Sequence, residues 1–419
     1  MKMKKIFVVL CLLPLSLVAS AQSVTMSPYS RYGLGTLAEQ SQGFNRGMNG
    51  LAQGFRFSNQ VNALNPASYS AIDSVTMVFD IGMAGHFTNY KEGDMKKNEK
   101  NASFEYAVAS FRIMKNLGMA VGILPFSNIG YNFETSLNEV EIPVTYKGDG
   151  GLHQVFLGMG WRIIKPLSVG FNFSYLWGDY THNIISGTLP TTDVNSLYRT
   201  YTADISSFKL DLGAQYMFDL RKSDKLTLGA TVSIGHNLGG EASCYVDNTE
   251  VSYTIEKPFS LPMMYSFGVV WNHKNNLFLG ADLNLQQWGS KLFPVFDDTT
   301  TDKYVLREGQ LKNRTKVVVG GEWIPNPVSR DFFKRVHYRM GISYATPYYY
   351  INGADGPKEF SISAGFGLPI ANSYNNRSIL NISGQWVHSS ATGMITENTF
   401  RINIGLTFNE RWFMKWKVE

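Results

Sequence analysis

Residues 277–286 read Leu-Phe-Leu-Gly-Ala-Asp-Leu-Asn-Leu-Gln, and this stretch decides the fold. Its odd-numbered positions are all apolar, whereas Asp282, Asn284 and Gln286 stand at even-numbered positions. A period of two predicts a strand with one apolar face and one polar face. The same alternation recurs at residues 208–218, 226–234 and 400–408. Alternating segments of about ten residues with aromatic ends are typical of a transmembrane β-barrel.

The N-terminal residues 1–21 have the pattern of a secretory signal peptide. Three lysines precede an apolar run at residues 6–18, and Ala19-Ser20-Ala21 supplies a small-residue cleavage site. We expect cleavage before Gln22. Beyond this point, no apolar run approaches the roughly 20 residues that a helix needs to cross a bilayer. The mature chain is therefore predicted to be a periplasmic protein or a barrel.

The composition favours the barrel. Charged residues make up 17% of the chain and aromatic residues 14%, with 39 glycines. An ordinary soluble domain has about 25% charged residues. The formal charge of +5 includes the three signal-peptide lysines, so the mature chain gives no reason to expect nucleic-acid binding. Cys244 is the only cysteine outside the signal peptide, which excludes an intramolecular disulfide.

Residues 74–409 are predicted to form an all-β, antiparallel transmembrane barrel of about 14 strands. Its connections alternate in length: those at 134–151 and 181–206 are long, and those at 114–117 and 164–166 are short. Long loops outside and short turns in the periplasm are the arrangement of a barrel that crosses the outer membrane many times. The last residues, 410–419, mix cations with aromatics and predict a periplasmic tail at the membrane interface.

Residues 22–73 do not alternate. They are rich in Gly, Asn and Ser, with scattered apolar residues that include Phe44, Met48 and Leu51. The lumen of a barrel of this size is too wide for its own wall side chains to fill. We therefore predict an N-terminal hatch inside the lumen. The alternative is a disordered periplasmic tail, which the apolar content disfavours.

Three motifs in this region resemble a known family. They are Tyr32-Gly33-Leu34-Gly35, then Asn45-Arg46-Gly47-Met48-Asn49-Gly50, then Asn65-Pro66-Ala67-Ser68-Tyr69. Their order resembles the hatch of the FadL/TodX family of outer-membrane channels for long-chain fatty acids and other hydrophobic compounds. Residues 124–131 and 408–413 resemble its Bacteroidetes-type branch. The resemblance implies a fourteen-stranded barrel with a hatch and a ligand path past Phe44, Met48, Leu51, Asn65, Pro66 and Ala67.

The Asn-Pro-Ala sequence carries its own structural expectation. Pro66 fixes its own φ and biases Asn65 towards an extended conformation. The Asn65 side chain is then free to hydrogen-bond nearby backbone, as asparagine does in turns. We expect Asn65 and Pro66 to lie close to the junction with the first strand.

In the FadL/TodX family the third strand is kinked, and a gap in the wall lets the ligand leave sideways. Here Pro125 falls in the predicted third strand, and proline has no N–H for the strand ladder. The resemblance thus implies a lateral gate at Pro125, Phe126, Ser127 and Asn128. The alternative is that Pro125 stands at the extracellular end of the strand and disturbs nothing.

The sequence offers no catalytic or cofactor motif. The histidines are not at metal-ligand spacing, and no serine stands in a Gly-x-Ser-x-Gly elbow. Asp179 and His182 are the one pair that would suit an outer-membrane hydrolase, although solvated rim residues are the simpler interpretation. We therefore predict a protein that is not an enzyme and that needs neither a cofactor nor a metal.

Two functions follow from these expectations. The first is passive uptake of hydrophobic small molecules such as fatty acids, which leave through the wall gap into the outer-membrane lipid. The second is a barrel scaffold that binds other proteins in a secretion complex (type IX, PorV-like) or an outer-membrane assembly complex. The polarity of the lumen above the hatch separates them, because hydrophobic ligands need an apolar path.

Overall fold

The computed structural model describes residues 27–74, 76–137, 142–186, 198–297, 303–370 and 378–411. The predicted signal peptide and tail residues 412–419 lie outside these ranges. None of the helices in the described ranges is long and apolar enough to cross a membrane.

The described residues form twenty-three strands and six short helices or helical turns. In chain order the strands are β1 (Thr36–Leu37), β2 (Thr76–Glu92), β3 (Met95–Met114), β4 (Leu117–Leu137), β5 (Ile142–Arg162), β6 (Leu167–Ser186), β7 (Tyr198–Arg221), β8 (Asp224–Ser233), β9 (His236–Asn237), β10 (Gly240–Val246), β11 (Val251–Glu256), β12 (Ser260–Leu261), β13 (Met264–His273), β14 (Leu277–Gln286), β15 (Phe293–Asp297), β16 (Lys303–Arg307), β17 (Arg314–Trp323), β18 (His337–Ala345), β19 (Tyr350–Ile351), β20 (Ala354–Asp355), β21 (Lys358–Ile370), β22 (Ser378–Ser390) and β23 (Thr396–Arg411). Single α-helical turns lie at Gly43–Arg46 and Phe332–Arg335, and 3-10 turns lie at Pro28–Arg31, Pro66–Ala71, Asp247–Thr249 and Trp288–Ser290.

Fourteen of these strands form a closed antiparallel barrel, as the alternation predicted. They are β2 to β8, β13, β14, β17, β18 and β21 to β23, and the pairing of β23 with β2 closes the ring. Their outward faces are apolar: Leu279 and Leu283 are 46% and 37% exposed, whereas Asp282 between them is 3% exposed and faces inward. Apolar side chains that point away from the lumen form the lipid-facing surface of such a barrel.

The short turns lie where the sequence predicted them, for example at residues 115–116 and 163–166. The long connections are different, because several wall strands continue far into the segments predicted as loops. β2 and β3 pair as far as Glu92 and Met95, so the connection after the first barrel strand is a two-residue turn. Above β8 and β13, β10 and β11 continue the wall, and β10 pairs with the outer half of β7.

Residues 27–74, here called the N-terminal segment, contact every strand of the barrel. Hydrogen bonds, ion pairs and close packing connect the segment to residues on all fourteen wall strands. Most of its side chains are buried, including those of Phe44, Met48, Leu51 and Phe55. Full burial of one such side chain stabilises by about 1.5–3 kcal/mol. A segment that contacts the whole ring of strands is surrounded by it.

Candidate functional site

The wall separates between β3 and β4. These strands pair only from Met114 and Leu117 to Ala107 and Ile123. Beyond that point β3 stays paired with β2 as far as Met95, and β4 stays paired with β5 as far as Leu137. No pairing between β3 and β4 occurs beyond Ile123 in the described residues, so two strand edges diverge here.

Pro125 lies at this separation, inside β4 and not at its end. The β4–β5 register shifts between Pro125 and Ser127, which leaves Phe126 as an extra residue. Proline cannot donate to the ladder, and an extra residue bends the strand that carries it. The bend continues into β5 at Gly151, opposite Asn128, where φ is +144° and glycine is needed. The four residues of the predicted lateral gate are thus all at the strand separation.

The N-terminal segment replaces β3 as the neighbour of β4. In β1, Thr36 pairs with Asn128 and Leu37 with Ser127. The backbone N–H of Ala38 donates to the carbonyl of Phe126 over 3.0 Å. Backbone groups of β4 that β3 leaves unpaired are therefore bonded to the segment, in keeping with the requirement that buried backbone groups find partners.

Two cavities lie beside β1, and both are bordered by Leu37, Ala38 and Glu39. The larger has a volume of about 180 Å³ and extends towards β7, β14 and β17. The smaller has a volume of about 120 Å³ and reaches both sides of the separation, at Ser103 on β3 and Asn128 on β4. Sites for drug-sized ligands usually measure about 300–1,000 Å³.

Charged side chains of both signs line these cavities. The larger cavity is bordered by Glu39, Lys209, Asp211, Arg314 and Lys316. The smaller is bordered by Glu39, Glu105, Arg314, Glu359, Glu397 and Arg401. Several of these groups are paired: Lys209 Nζ lies 2.6 Å from Asp211 Oδ2, and Arg314 Nη2 lies 3.1 Å from Glu359 Oε2. The lumen above the buried part of the N-terminal segment therefore carries charged groups beside apolar ones such as Leu37 and Phe126.

An ion pair ties the N-terminal segment to β3 at this point. Arg46 Nη2 lies 2.7 Å from Glu105 Oε2, and the two side chains are only 3% and 10% exposed. Arg46 also donates to the carbonyl oxygens of Ser41 and Glu39 and to Asn403 Oδ1. An arginine in such surroundings is held by several charge-assisted hydrogen bonds at once.

Glu39 carries a second charge of the N-terminal segment into the lumen. Burial favours the neutral form of its carboxyl group, but the positive charges of Lys316, Arg46 and Arg401 outweigh burial and lower its pKa. Its Oε2 accepts a hydrogen bond from Gln385 Nε2 over 3.3 Å. Glu39 is thus an anion at neutral pH that faces cations on several wall strands.

The predicted ligand-path residues lie elsewhere. Phe44, Met48 and Leu51 form a closed apolar cluster with Phe55 and with residues of β13, β14 and β17. None of the three borders either of the two cavities. They pack the N-terminal segment against the wall, so the expectation that they line a path through the lumen has no geometric support here.

Asn65, Pro66 and Ala67 also have a structural role. Asn65 is extended at φ −134° and ψ 102°, and its Oδ1 accepts from the N–H of Ala67. Its Nδ2 donates to the carbonyls of Gln53 and Ala214, as expected of an asparagine that bonds nearby backbone. Their position differs from the expectation: Pro66 packs on glycines of β5, β6 and β7, because a 3-10 turn separates it from β2.

The outer end of the lumen is filled by aromatic side chains. Tyr180, Phe259, Trp288, Tyr348 and Tyr349 belong to one buried cluster built from strand ends and loops. Ring centroids of Trp288 and Tyr348 are 5.1 Å apart, and those of Tyr180 and Phe259 are 5.8 Å apart. Tyr348 and Tyr349 of this cluster also border the smaller cavity.

The sequence indicated some of the charged residues that face the lumen. In the alternating stretch at 208–218 the apolar residues face outward, so Lys209 and Asp211 had to face inward. The Arg46–Glu105 contact had no such signal, since the two residues belong to different elements.

Asp179 and His182 do not form a dyad: Asp179 is exposed on the outer face of β6, and His182 Nδ1 lies 2.6 Å from the hydroxyl of Tyr131. Within the described ranges, no group of three or more His, Cys, Asp or Glu could hold a metal ion.

Several solved structures have a similar fold. The chain resembles the toluene transporter TodX of Pseudomonas putida with a TM-score of 0.62 and 13% identity, over 90% of this chain and 99% of that one. It resembles the Ralstonia pickettii toluene transporter TbuX with a TM-score of 0.61 and 14% identity, over 89% and 99%. A FadL homologue of Pseudomonas aeruginosa gives 0.56 and 13%, over 88% and 97%. At these identities the likeness establishes the fold.

No curated protein sequence matches the chain. A family model does: the one described as BamG matches residues 2–419, which is nearly the whole sequence. The fourteen-stranded barrel, the buried N-terminal segment and the bent β4 are therefore features of a member of that family. The chain belongs to the BamG family.

Proposed function

We propose that this protein is a barrel subunit of a multiprotein outer-membrane complex for protein secretion or for outer-membrane assembly. The observation that carries the proposal is the presence of charged side chains in the lumen above the buried part of the N-terminal segment. Both cavities there are lined by charged side chains of both signs. Hydrophobic uptake required an apolar path at this place, whereas a scaffold requires none.

The energetics favour this choice. Transfer of a ligand CH₂ group out of water gains about 0.8 kcal/mol only if the new surroundings are apolar. Beside Glu39, Lys316 and Arg314 a hydrocarbon would displace water from charged groups, and their lost solvation opposes entry. The apolar side chains of the N-terminal segment offer no substitute, because they are packed against the wall.

A second function, passive uptake of hydrophobic compounds such as fatty acids, rests on the strand separation at Pro125. β3 and β4 diverge at membrane level, and the smaller cavity reaches both edges. Irregular backbone at that depth is tolerated where it lines a cavity. A ligand that bypassed the charged lumen could leave the protein here into outer-membrane lipid.

In either function, the N-terminal segment acts as a hatch. Its contacts with all wall strands and the buried Arg46–Glu105 pair support this role. The hatch closes the lumen to ions and small solutes. The barrel then offers neighbouring proteins a rigid outer surface and ordered periplasmic turns without forming a pore.

Lipid binding separates the two functions. We expect purified protein to show no saturable binding of long-chain fatty acids or monoaromatic compounds, and a deletion strain to grow on a panel of these compounds as wild type does. Extraction from native membranes should instead recover partner proteins in fixed stoichiometry. Saturable binding of a lipid, together with loss of growth on that lipid after deletion, would favour the transport function over the scaffold function.

A further inference from the structure

Three arginines gather at the periplasmic mouth of the barrel. Arg56 belongs to the N-terminal segment, Arg112 lies near the periplasmic end of β3, and Arg162 is the last residue of β5. Arg112 and Arg162 stand beside the short turns at 115–116 and 163–166. All three are partly exposed, so the periplasm has access to them.

Two of the three side chains converge on Ser70, and Arg112 stands on a neighbouring part of the wall. Arg56 Nη2 donates to Ser70 Oγ over 3.0 Å, and Arg162 Nη2 donates to the carbonyl of Ser70 over 3.4 Å. On β3, Arg112 pairs with Gly118 of β4. Gly118 pairs in turn with Gly160 of β5, two residues before Arg162, so one strand separates Arg112 from Arg162.

No carboxylate neutralises this cluster. Among the described residues, Arg56, Arg112 and Arg162 take part in no salt bridge. Arg56 Nη1 and Arg162 Nε are buried and find no hydrogen-bond partner in the part of the chain that the structure describes. Burial, and then the positive charge of Arg162, lower the pKa of Arg56 to about 10. Buried polar groups are rarely left unpaired, and an unpartnered one calls for a specific explanation.

We propose that Arg56, Arg112 and Arg162 form a receptor for a carboxylate of a periplasmic protein segment, which is an aspartate or glutamate side chain or a C-terminal carboxylate. The inference rests on the proposed scaffold function and names the chemistry of one contact. A guanidinium group presents two parallel N–H donors that match the two oxygens of a carboxylate.

The position of the cluster argues against a lipid headgroup. Arg56 and Arg162 face Ser70 of the N-terminal segment and so lie on the lumen side of the wall. The neighbouring side chains Ile113 and Trp161 are exposed on the outer side, where lipid chains lie. A lipid could not keep its chains there while its phosphate reached Arg56. A peptide from the periplasm reaches the mouth directly.

Calorimetry with defined probes tests the receptor. The intact protein in detergent is titrated with capped hexaglutamate, with capped hexaglutamine and with inorganic phosphate. We expect hexaglutamate to bind and hexaglutamine not to bind. Arg56→Gln and Arg162→Gln should each weaken hexaglutamate binding about ten- to hundredfold, the usual effect of losing a hydrogen bond to a charged group. Arg330→Gln, at an exposed arginine outside the cluster, should leave binding unchanged.

A stability measurement guards against misfolded variants. Each substitution removes a charge that its neighbours repel but also a hydrogen bond to Ser70, so the melting temperature without ligand should change little. Arg56→Lys and Arg162→Lys keep the charge but lose the two parallel N–H donors of the guanidinium group, and should bind hexaglutamate with intermediate affinity. Absence of hexaglutamate binding to wild type, equal binding to the Gln variants, or preference for phosphate would each overturn the proposal.

The experiments distinguish a failure of the carboxylate receptor from a failure of the scaffold function. If partner proteins copurify with wild type and with both Gln variants alike, the scaffold stands and the carboxylate receptor is wrong. If hexaglutamate binds as expected but no partner copurifies with wild type, the scaffold fails.

Discussion

Removal of Arg46 should weaken the attachment of the N-terminal segment to β3, and the buried ion pair indicates by how much. In Arg46→Met the buried Glu105 carboxylate, whose side chain is 10% exposed, loses the partner that lies 2.7 Å away. Breaking a buried pair by removing one partner costs about 3–5 kcal/mol. The remaining partners of Glu105 are the hydroxyl group of Ser103 and the ring of His86. The population of the detached segment should therefore rise by about two to three and a half orders of magnitude.

Protease protection of the N-terminal segment measures this population, since cleavage requires the segment to leave the lumen. The double variant Arg46→Met, Glu105→Gln is the matched control. It removes both charges and should recover a large part of the lost protection, because no unpaired charge remains. A loss of less than tenfold in Arg46→Met, or strict additivity of the two substitutions, would refute the idea that this ion pair holds the segment.

Three further predictions concern the wall and the hatch. A cysteine pair at Ala107 and Ile123, which face each other, should form a disulfide, whereas a pair at Glu105 and Pro125 beyond the separation should not; oxidation followed by mass spectrometry decides, and equal yields would contradict the diverging edges. Deletion of the N-terminal segment should give ion conductance in planar bilayers, and a truncated barrel that conducts no more than the intact one would mean that the segment is not a hatch. Phe173→Arg, at a 52% exposed lipid-facing site, should lower the free energy of unfolding in bilayers by up to about 2–4 kcal/mol near the midplane, as measured by denaturant titration; no loss would place Phe173 outside the lipid.

The sequence predicted the barrel because lipid and lumen impose a strict period of two on each strand. Pro125 indicated a missing ladder donor, since proline has no N–H, but not whether it stood inside the strand or at its extracellular end. The length of the strands could not be predicted from the sequence. Residues 96–101 are charged or polar on both faces, and a strand that extends beyond the membrane has no alternation to reveal it.

The interior of the lumen was predicted only in part. The apolar side chains of Phe44, Met48 and Leu51 indicated burial, but not whether they line a path or pack a core, since both need the same side chains. Their contact with β13, β14 and β17 is a property of the fold. The pairing of Arg46 with Glu105 likewise depends on how the segment lies across the lumen, which no local pattern in the sequence specifies.

The central claim is that the barrel holds proteins together and does not conduct hydrophobic compounds. The most direct measurement is the mass and composition of the tagged protein extracted gently from its native outer membrane. We predict an assembly heavier than one barrel, with one or more partner proteins in a fixed ratio that survives size-exclusion chromatography. Recovery of the protein as a lone barrel, with a hydrophobic molecule bound in its lumen, would contradict the claim.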